Sequence, residues 1–440
     1  MNFITCFIPV WGEGAQYFKS YTMSFSKRKD ARFWKRRGFL KAGASSAAAL
    51  VIGQSVSSAN LIDSEKNVFS KFLHTPLCEI LGIKYPLIQA GMGGVAGPEL
   101  AASVSEAGGL GIITGTFQQP DELRKRIRRI RQLTNKPFGV NLMLQREMIV
   151  PVDIRKIPDE QVQEVQQILN QFRTQLGIPL QQGLTVPVPD LLREEFEIIL
   201  EENVPVWSIG LGKPTIEQVE RCHEKGIKVM AMICTVKDAI EVSETGVDII
   251  IAQGSEAGGH RSTWIKRESK EDACIGTMAL VPQVVDAVKQ PVIAAGGITD
   301  GRGMAAALAL GAGAVLIGTR FIATKESMAS DLHKQAVLKA DSDNTTVTDK
   351  LSGAYARVIR NSYTAQYEKA NAPVLAPWVQ MLAARDIYRA ALEKNMPEYY
   401  SLWAGQGVGQ IKNIPEAAEV VSSIIKEAGE SIERMRKYIK

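Results

Sequence analysis

Residues 291–321 read "PVIAAGGITDGRGMAAALALGAGAVLIGTRF". The first part, "PVIAAG" (291–296), is a short apolar run that ends in glycine. "GRGMAAALALGAG" (301–313) is dense in good helix formers and also closes on glycine, a common helix terminator. "GAVLIG" (313–318) is a second apolar run, again ending in glycine. Strand, helix and strand in this order form a βαβ unit, whose two strands lie parallel and are buried on both faces.

The same rhythm extends toward the N-terminus. Six more runs of this kind occur: "YPLIQA" (85–90), "LGIIT" (110–114), "FGVNLM" (138–143), "VPVWSIG" (204–210), "IKVMAMI" (227–233) and "VDIIIA" (247–252). Between them lie helical patterns such as "PELAASVSEAG" (98–108), "TIEQVERCHEKG" (215–226) and "TVKDAIEVSETG" (235–246). Eight β–α repeats predict an α/β fold, a closed (β/α)8 TIM barrel, with an open doubly wound sheet as the alternative.

Around that barrel the chain divides into four parts. Residues 60–324 are the expected barrel, interrupted by an insertion at about 145–190. The insertion contains the helical "PDEQVQEVQQILNQFRTQLG" (158–177) and is expected to be a lid or flap. Residues 325–402 lack a strand-like rhythm and predict a small, mostly helical second domain. Residues 403–440 end in the amphipathic "IPEAAEVVSSIIKEAGESIERMRKYI" (414–439), a helix expected to close back on the barrel.

The first 59 residues differ from the rest. They hold nine Lys/Arg and two Asp/Glu, which leaves 43 basic and 45 acidic residues for 60–440. The chain's net charge of +5 is therefore a property of one end, and the body has no electrostatic case for a nucleic-acid partner. "WKRRGFLKAGASSAAALVIGQSVSSA" (34–59) has a basic block, a weakly apolar stretch and a small-residue end. That is the layout of a secretory signal, and the stretch is too short for a stable membrane span. Arg36–Arg37 followed by "GFLK" predicts a twin-arginine signal, the twin-arginine machinery as export partner, and cleavage after Ala59. Met23 is an alternative start. The expected location is periplasmic or exported, and cytoplasmic if the leader does not function. The five cysteines are scattered, with no pair or histidine at metal-ligand spacing, so no metal site is expected.

In a barrel of this kind the active site lies at the carboxyl ends of the strands. The unusual loops all fall there: "QAGMGG" (89–94), Asn141, "QGSEAGGH" (253–260), "AGGITDGRG" (295–303) and "GTRF" (318–321). The loops after strands seven and eight are the usual phosphate seat, and glycine lets backbone N–H groups approach an anion. The chain has neither a GxxxxGK[ST] loop nor an early GxGxxG turn with its later acid. The phosphate expected is that of a mononucleotide cofactor.

"PLIQAGMGGVAGPELAASVSEAGGLG", "KPFGVNLML", "AQGSEAGGHR", "PVIAAGGITDGRGMAAALALGA" and "IGTRF" together resemble the nitronate monooxygenase family. These motifs are shared with the FMN-dependent enoyl-acyl-carrier-protein reductases. The resemblance covers about residues 80–325, with a weaker echo in "WAGQG" (403–407). It implies FMN as cofactor, contacted by Met92, Gly93, Asn141, Gln253, Gly258 and Gly297, and by Leu316, Ile317, Gly318 and Thr319 around the phosphate. It implies oxidation of alkyl nitronates, or of their parent nitroalkanes, by dioxygen to a carbonyl compound and nitrite. It also puts His260, the histidine of "EAGGH", opposite the flavin as base or substrate-positioning group. The competing reading is an NAD(P)H-dependent enoyl-thioester reductase, and a third is a flavin carrier without turnover.

At its ordinary pKa of about 6.5 such a histidine is half-ready as a base near neutrality. A capping role for His260 is the structural alternative. The other histidines have no evident partner in the sequence: His223 reads as solvated, His333 as part of a helix face, and His74 as preceding the barrel. Glu256 reads as a capping or ion-pair residue, and Cys274 as a weak echo of thiol-dependent barrels. One departure from the family pattern is Ser262, where relatives often carry another glycine. It is followed by Trp264 and basic residues.

Overall fold

Each of the eight apolar runs contains a strand in the computed structural model: β1 Leu87–Gln89, β2 Leu110–Thr114, β3 Phe138–Met143, β4 Val206–Gly210, β5 Lys228–Ile233, β6 Ile249–Gln253, β7 Val292–Ala295 and β8 Ala314–Ile317. All neighbours pair in parallel, and the sheet closes where Val315 of β8 lies opposite Leu87 of β1. The structure describes residues 73–439 apart from 146–151, 185–189 and 265–268. Of the chain before them, only the backbone of an antiparallel hairpin is described, Phe3–Gly12 with Ala15–Ser24, a unit by itself. The expected leader (34–59) and its cleavage point lie outside the described residues.

Closure explains why the runs are apolar throughout. Alternate residues such as Ile88, Ile112, Met230, Ile251, Ile293 and Leu316 fill the barrel interior. Their sequence neighbours Leu87, Ile113, Val229, Ile250, Val292 and Ile317 pack outward against the helices. Each such side chain contributes about 1.5–3 kcal/mol when removed from water. On the helix Gly301–Ala309, the Asp300 carboxylate accepts from the N–H groups of Arg302 and Gly303, which fixes the start. Gly311 at φ +95° then turns the chain into β8. The C-terminal helix Ala417–Arg436 lies on this helix and on Pro98–Glu106. A Cβ at Gly301 would stand 2.1 Å from the Ala428 nitrogen, so only glycine allows that approach.

The second domain is mostly helical, with helices Asp331–Lys339, Ser362–Ala370 and Arg385–Glu393, and it also carries strands that its sequence does not announce: β9 Thr345–Thr348 and β10 Ala356–Ile359, paired antiparallel. Its third strand is the barrel segment Gly259–His260, paired with β10. "TTVT" and "ARVI" are too short to display an alternation.

The inserted helix Asp159–Leu176 is no free-standing lid. Its Val165, Leu169 and Phe172 pack with Tyr363, Tyr367 and Ile387 of the second domain, and the Phe172 and Tyr363 rings lie 4.5 Å apart. The fully buried Arg173 guanidinium grips Asp386 at 2.8 and 3.1 Å and donates to the Ala383 carbonyl.

Candidate active site

The carboxyl ends of the strands open into a cavity of about 480 Å³. Of the residues that sequence reasoning assigned to the site, Met92, Gly93, Asn141, Gln253, Gly258, His260, Gly297, Leu316, Gly318 and Thr319 all line it. Ile317 does not. Alternation along β8 puts Leu316 inward and turns Ile317 toward the helices.

One side of the cavity is a backbone cradle. Among the described residues, the N–H groups of Gly296, Gly297, Gly318 and Thr319 have no protein acceptor. Gly296 and Gly297 hold φ of +114° and +71°, a conformation in which a side chain is strained. A Cβ on Gly93 would meet no atom within 4 Å and would project into free space. Thr319 Oγ1 accepts from Gly405 N at 2.9 Å, which ties the cradle to the segment "WAGQG". Converging free N–H groups of this kind suit a phosphate. Asn141 donates from Nδ2 to Ser208 at 3.2 Å, so its amide has a fixed orientation at the end of β3.

Gln253 holds the histidine loop in place. Its Nε2 donates to the His260 carbonyl at 2.9 Å, and its Oε1 accepts from Ser262 N at 2.9 Å and from Cys234 Sγ at 3.0 Å. Ser262 Oγ in turn donates to Met232 O and accepts from Leu211 N, both at 2.9 Å. Ser262 is thus a connector between strand ends. Glu256 caps the helix Thr277–Ala287, its carboxylate accepting from Thr277 N at 2.9 Å.

His260 lines the same cavity. Its Nε2 lies 2.8 Å from Ser352 Oγ, and the ring is 5.1 Å from that of Trp378 and 5.0 Å from that of Trp403. The residue keeps some accessible surface, yet protein packs densely around the ring. Burial, followed by the neighbouring Arg261 charge, lowers its pKa to about 4. Arg261 is buried and donates at 2.8 Å to the carbonyls of Gly254 and Ala257. The ordinary histidine pKa expected from the sequence is therefore corrected: at neutral pH this imidazole is uncharged.

Sequence reasoning missed Ser352, Trp378, Phe117 and Met381, which come from segments without motif character. Trp403 lay in the weak "WAGQG" echo. The remaining histidines do have partners: His223 with Asp248 at 3.0 Å, His333 with the Trp403 carbonyl at 3.0 Å, and His74 with Glu79. Among the described residues no group of three or more His, Cys, Asp or Glu is arranged for a metal, and no helix is long and apolar enough to cross a membrane.

A closed parallel barrel whose cavity at the carboxyl rim holds a backbone anion cradle and an imidazole defines a TIM-barrel enzyme. The nitronate monooxygenase family model matches residues 74–427, and the chain belongs to that family. It is 35% identical over 362 residues to a probable nitronate monooxygenase of Staphylococcus saprophyticus, covering 82% of this chain and 99% of that protein. A probable nitronate monooxygenase of Staphylococcus haemolyticus is 36% identical over 75% of this chain and 90% of its own length. Among solved structures, nitroalkane oxidase from Streptomyces ansochromogenes superposes with a TM-score of 0.74 at 32% identity, covering 82% of this chain and 99% of that one. FabK from Thermotoga maritima does so with a TM-score of 0.64 at 33% identity, covering 83% and 99%. The chain is an oxidoreductase.

Proposed function

We propose that the chain binds FMN and oxidises alkyl nitronates with dioxygen to a carbonyl compound and nitrite. The observation that carries this reading is the presence, in one cavity, of free backbone N–H groups and of a neutral imidazole flanked by two indoles. FMN bound there supplies the electron acceptance and the delivery of electrons to dioxygen. The N–H groups of Gly297, Gly318 and Thr319 hold its phosphate. Met92, Gly93 and Asn141 bound the space for the ring.

His260 positions the substrate. With a pKa near 4 it is a weak base for a neutral nitroalkane, so the preformed nitronate anion is the favoured substrate. Ser352 Oγ also donates to the Ala354 carbonyl at 3.3 Å, so its lone pairs are left to accept from His260 Nε2–H. That leaves Nδ1 as the proton-accepting nitrogen, which can take up a proton as the anion arrives. The basic leader with Arg36–Arg37 supports export of the folded protein by the twin-arginine route.

The test is an absorbance spectrum of the isolated protein, then anaerobic addition of an alkyl nitronate or NADH to wild type and His260→Ala. A yellow protein bleached by nitronate, and about 10²-fold more slowly in His260→Ala, is expected. A colourless protein that does not take up FMN overturns the reading. Bleaching by NADH but not nitronate replaces it with an enoyl-thioester reductase.

A further inference from the structure

Glu195 is only 1% exposed, on the helix Leu192–Glu201 beneath the turn 115–118. A carboxyl buried in this way costs free energy, and the reaction proposed above does not use it. The turn over it is strained. Gln118 N donates to the Gly115 carbonyl at 3.0 Å, which closes the turn, and Phe117 occupies its third position at φ +63°. Glycine or asparagine is ordinary there, whereas a bulky residue persists only where its surroundings hold it. Strand β3 holds two points of the turn: the Asn141 carbonyl accepts from Gly115 N at 2.8 Å, and Thr116 Oγ1 accepts from Met143 N at 3.0 Å. Glu195 holds the rest, because the N–H groups of Gln118 and Phe117 face its carboxyl.

Phe117 carries this support into the active site. Its ring meets that of Trp378 edge to face at 5.2 Å, and the Trp378 ring stands 5.1 Å from that of His260. Trp378 is itself left-handed, at φ +69°, and its N–H donates to the Ser352 carbonyl at 2.8 Å. Packed rings thus run from the buried carboxyl to the imidazole. We propose that Glu195 is a positioning residue: its carboxyl, while it keeps its proton, supports the turn at Phe117 and so holds Trp378 and His260 in place. The inference rests on the role given to His260 in the function proposed above.

Burial raises the pKa of this carboxyl to about 8; the N–H groups of Gln118 and Phe117 lower it, and the charges of Glu194 and Asp190 raise it further. The helix Pro120–Leu133 packs against this one and brings Arg124, Arg128 and Arg131, which Glu201 and Glu202 engage, and its exposed acids Asp121 and Glu122. Strand β3, also packed against it, has no ionisable side chain. Once ionised, the carboxylate draws in water or moves toward it, and the turn above shifts with it.

The full-length protein loaded with FMN is compared with Glu195→Gln, whose amide keeps an acceptor but cannot ionise. Tryptophan emission is followed without substrate from about pH 6 to 9.5, with Trp378→Phe to identify its source, and kcat is measured with saturating ethyl nitronate. Wild-type emission should change with a midpoint near pH 8, and the change should vanish in Glu195→Gln and in Trp378→Phe. The ratio of kcat in Glu195→Gln to that in the wild type should be about one at pH 7 and about ten at pH 9. Glu195→Leu, which offers no acceptor, should lower kcat about tenfold or more even at pH 7.

An unchanging wild-type emission, a change that persists in Glu195→Gln or Trp378→Phe, or a kcat ratio flat from pH 7 to 9 overturns the inference. If the emission behaves as expected but no nitronate is consumed at any pH, the positioning role stands and nitronate oxidation falls. If nitronate is consumed with the same pH profile in both proteins, oxidation stands and the positioning role falls.

Discussion

Binding an anion beside His260 should draw a proton from solvent. The free imidazole titrates at about 4 because the ring is surrounded by protein and stands beside the Arg261 guanidinium. An anionic head at about 4 Å, in an effective dielectric of about 20, stabilises the imidazolium by about 4 kcal/mol. That is about three pKa units, enough to bring His260 to about 7 in the complex. Binding of hexanoate, whose carboxylate matches a nitronate head in charge and shape, should therefore take up about 0.9 proton at pH 6 and about 0.1 at pH 8. The affinity falls about sixfold per pH unit between 5.5 and 7 and levels off above pH 8. Titration calorimetry in two buffers of different ionisation enthalpy reads the uptake directly, with His260→Asn as comparator. Uptake below about 0.1 proton at pH 6, or equal uptake in His260→Asn, refutes the assignment of His260 as the group that receives the charge.

Two further outcomes concern stability. Glu195 lies buried beneath the loop carrying Phe117, with Oε1 unpartnered, and burial raises its pKa to about 8. The folded protein keeps a proton that the unfolded chain has lost above about 4.5, so Glu195 costs stability progressively as pH rises from 4.5 to 8. Glu195→Gln should gain a few kcal/mol in chemical denaturation at pH 8 and little at pH 4.5; a difference that does not depend on pH removes the argument. Gly258→Ala would set its Cβ 2.5 Å from the Ala404 carbonyl carbon and the Gly405 nitrogen. It should cost about 1–3 kcal/mol in thermal or chemical unfolding, and an unchanged midpoint refutes the close contact.

The barrel was legible because both faces of every strand are buried, which writes eight short apolar runs into the chain. The rim was legible because a strand end that must leave N–H groups open favours glycine, as at Gly296, Gly297 and Gly318. Ile317 was carried over with its whole loop, and alternation turns its side chain away from the cavity that Leu316 lines. The second domain's sheet was not legible: its strands are four residues long, and one partner comes from a barrel loop some ninety positions away. The wall around His260 was hidden for the same reason. Ser352, Trp378 and Phe117 meet only after folding, and the depressed histidine pKa is a consequence of that meeting.

At the glycines of "EAGGH" something does come close to the backbone, and it is the chain itself. Gly258 lies against the backbone of Ala404 and Gly405, and Gly259 at φ +77° turns the chain into its pairing with β10. Arg261 continues that pairing, its N–H donating to the Tyr355 carbonyl at 2.8 Å. His260 is therefore a barrel residue whose backbone belongs to the second domain's sheet and whose ring is held by that domain's Ser352, Trp378 and Trp403. The cradle, by contrast, is built at the ends of β7 and β8. Anion holding and substrate positioning thus rest on separate parts of the fold. A perturbation of β9 or β10 loosens the imidazole while leaving the cradle formed, and cofactor retention and turnover should separate in such variants.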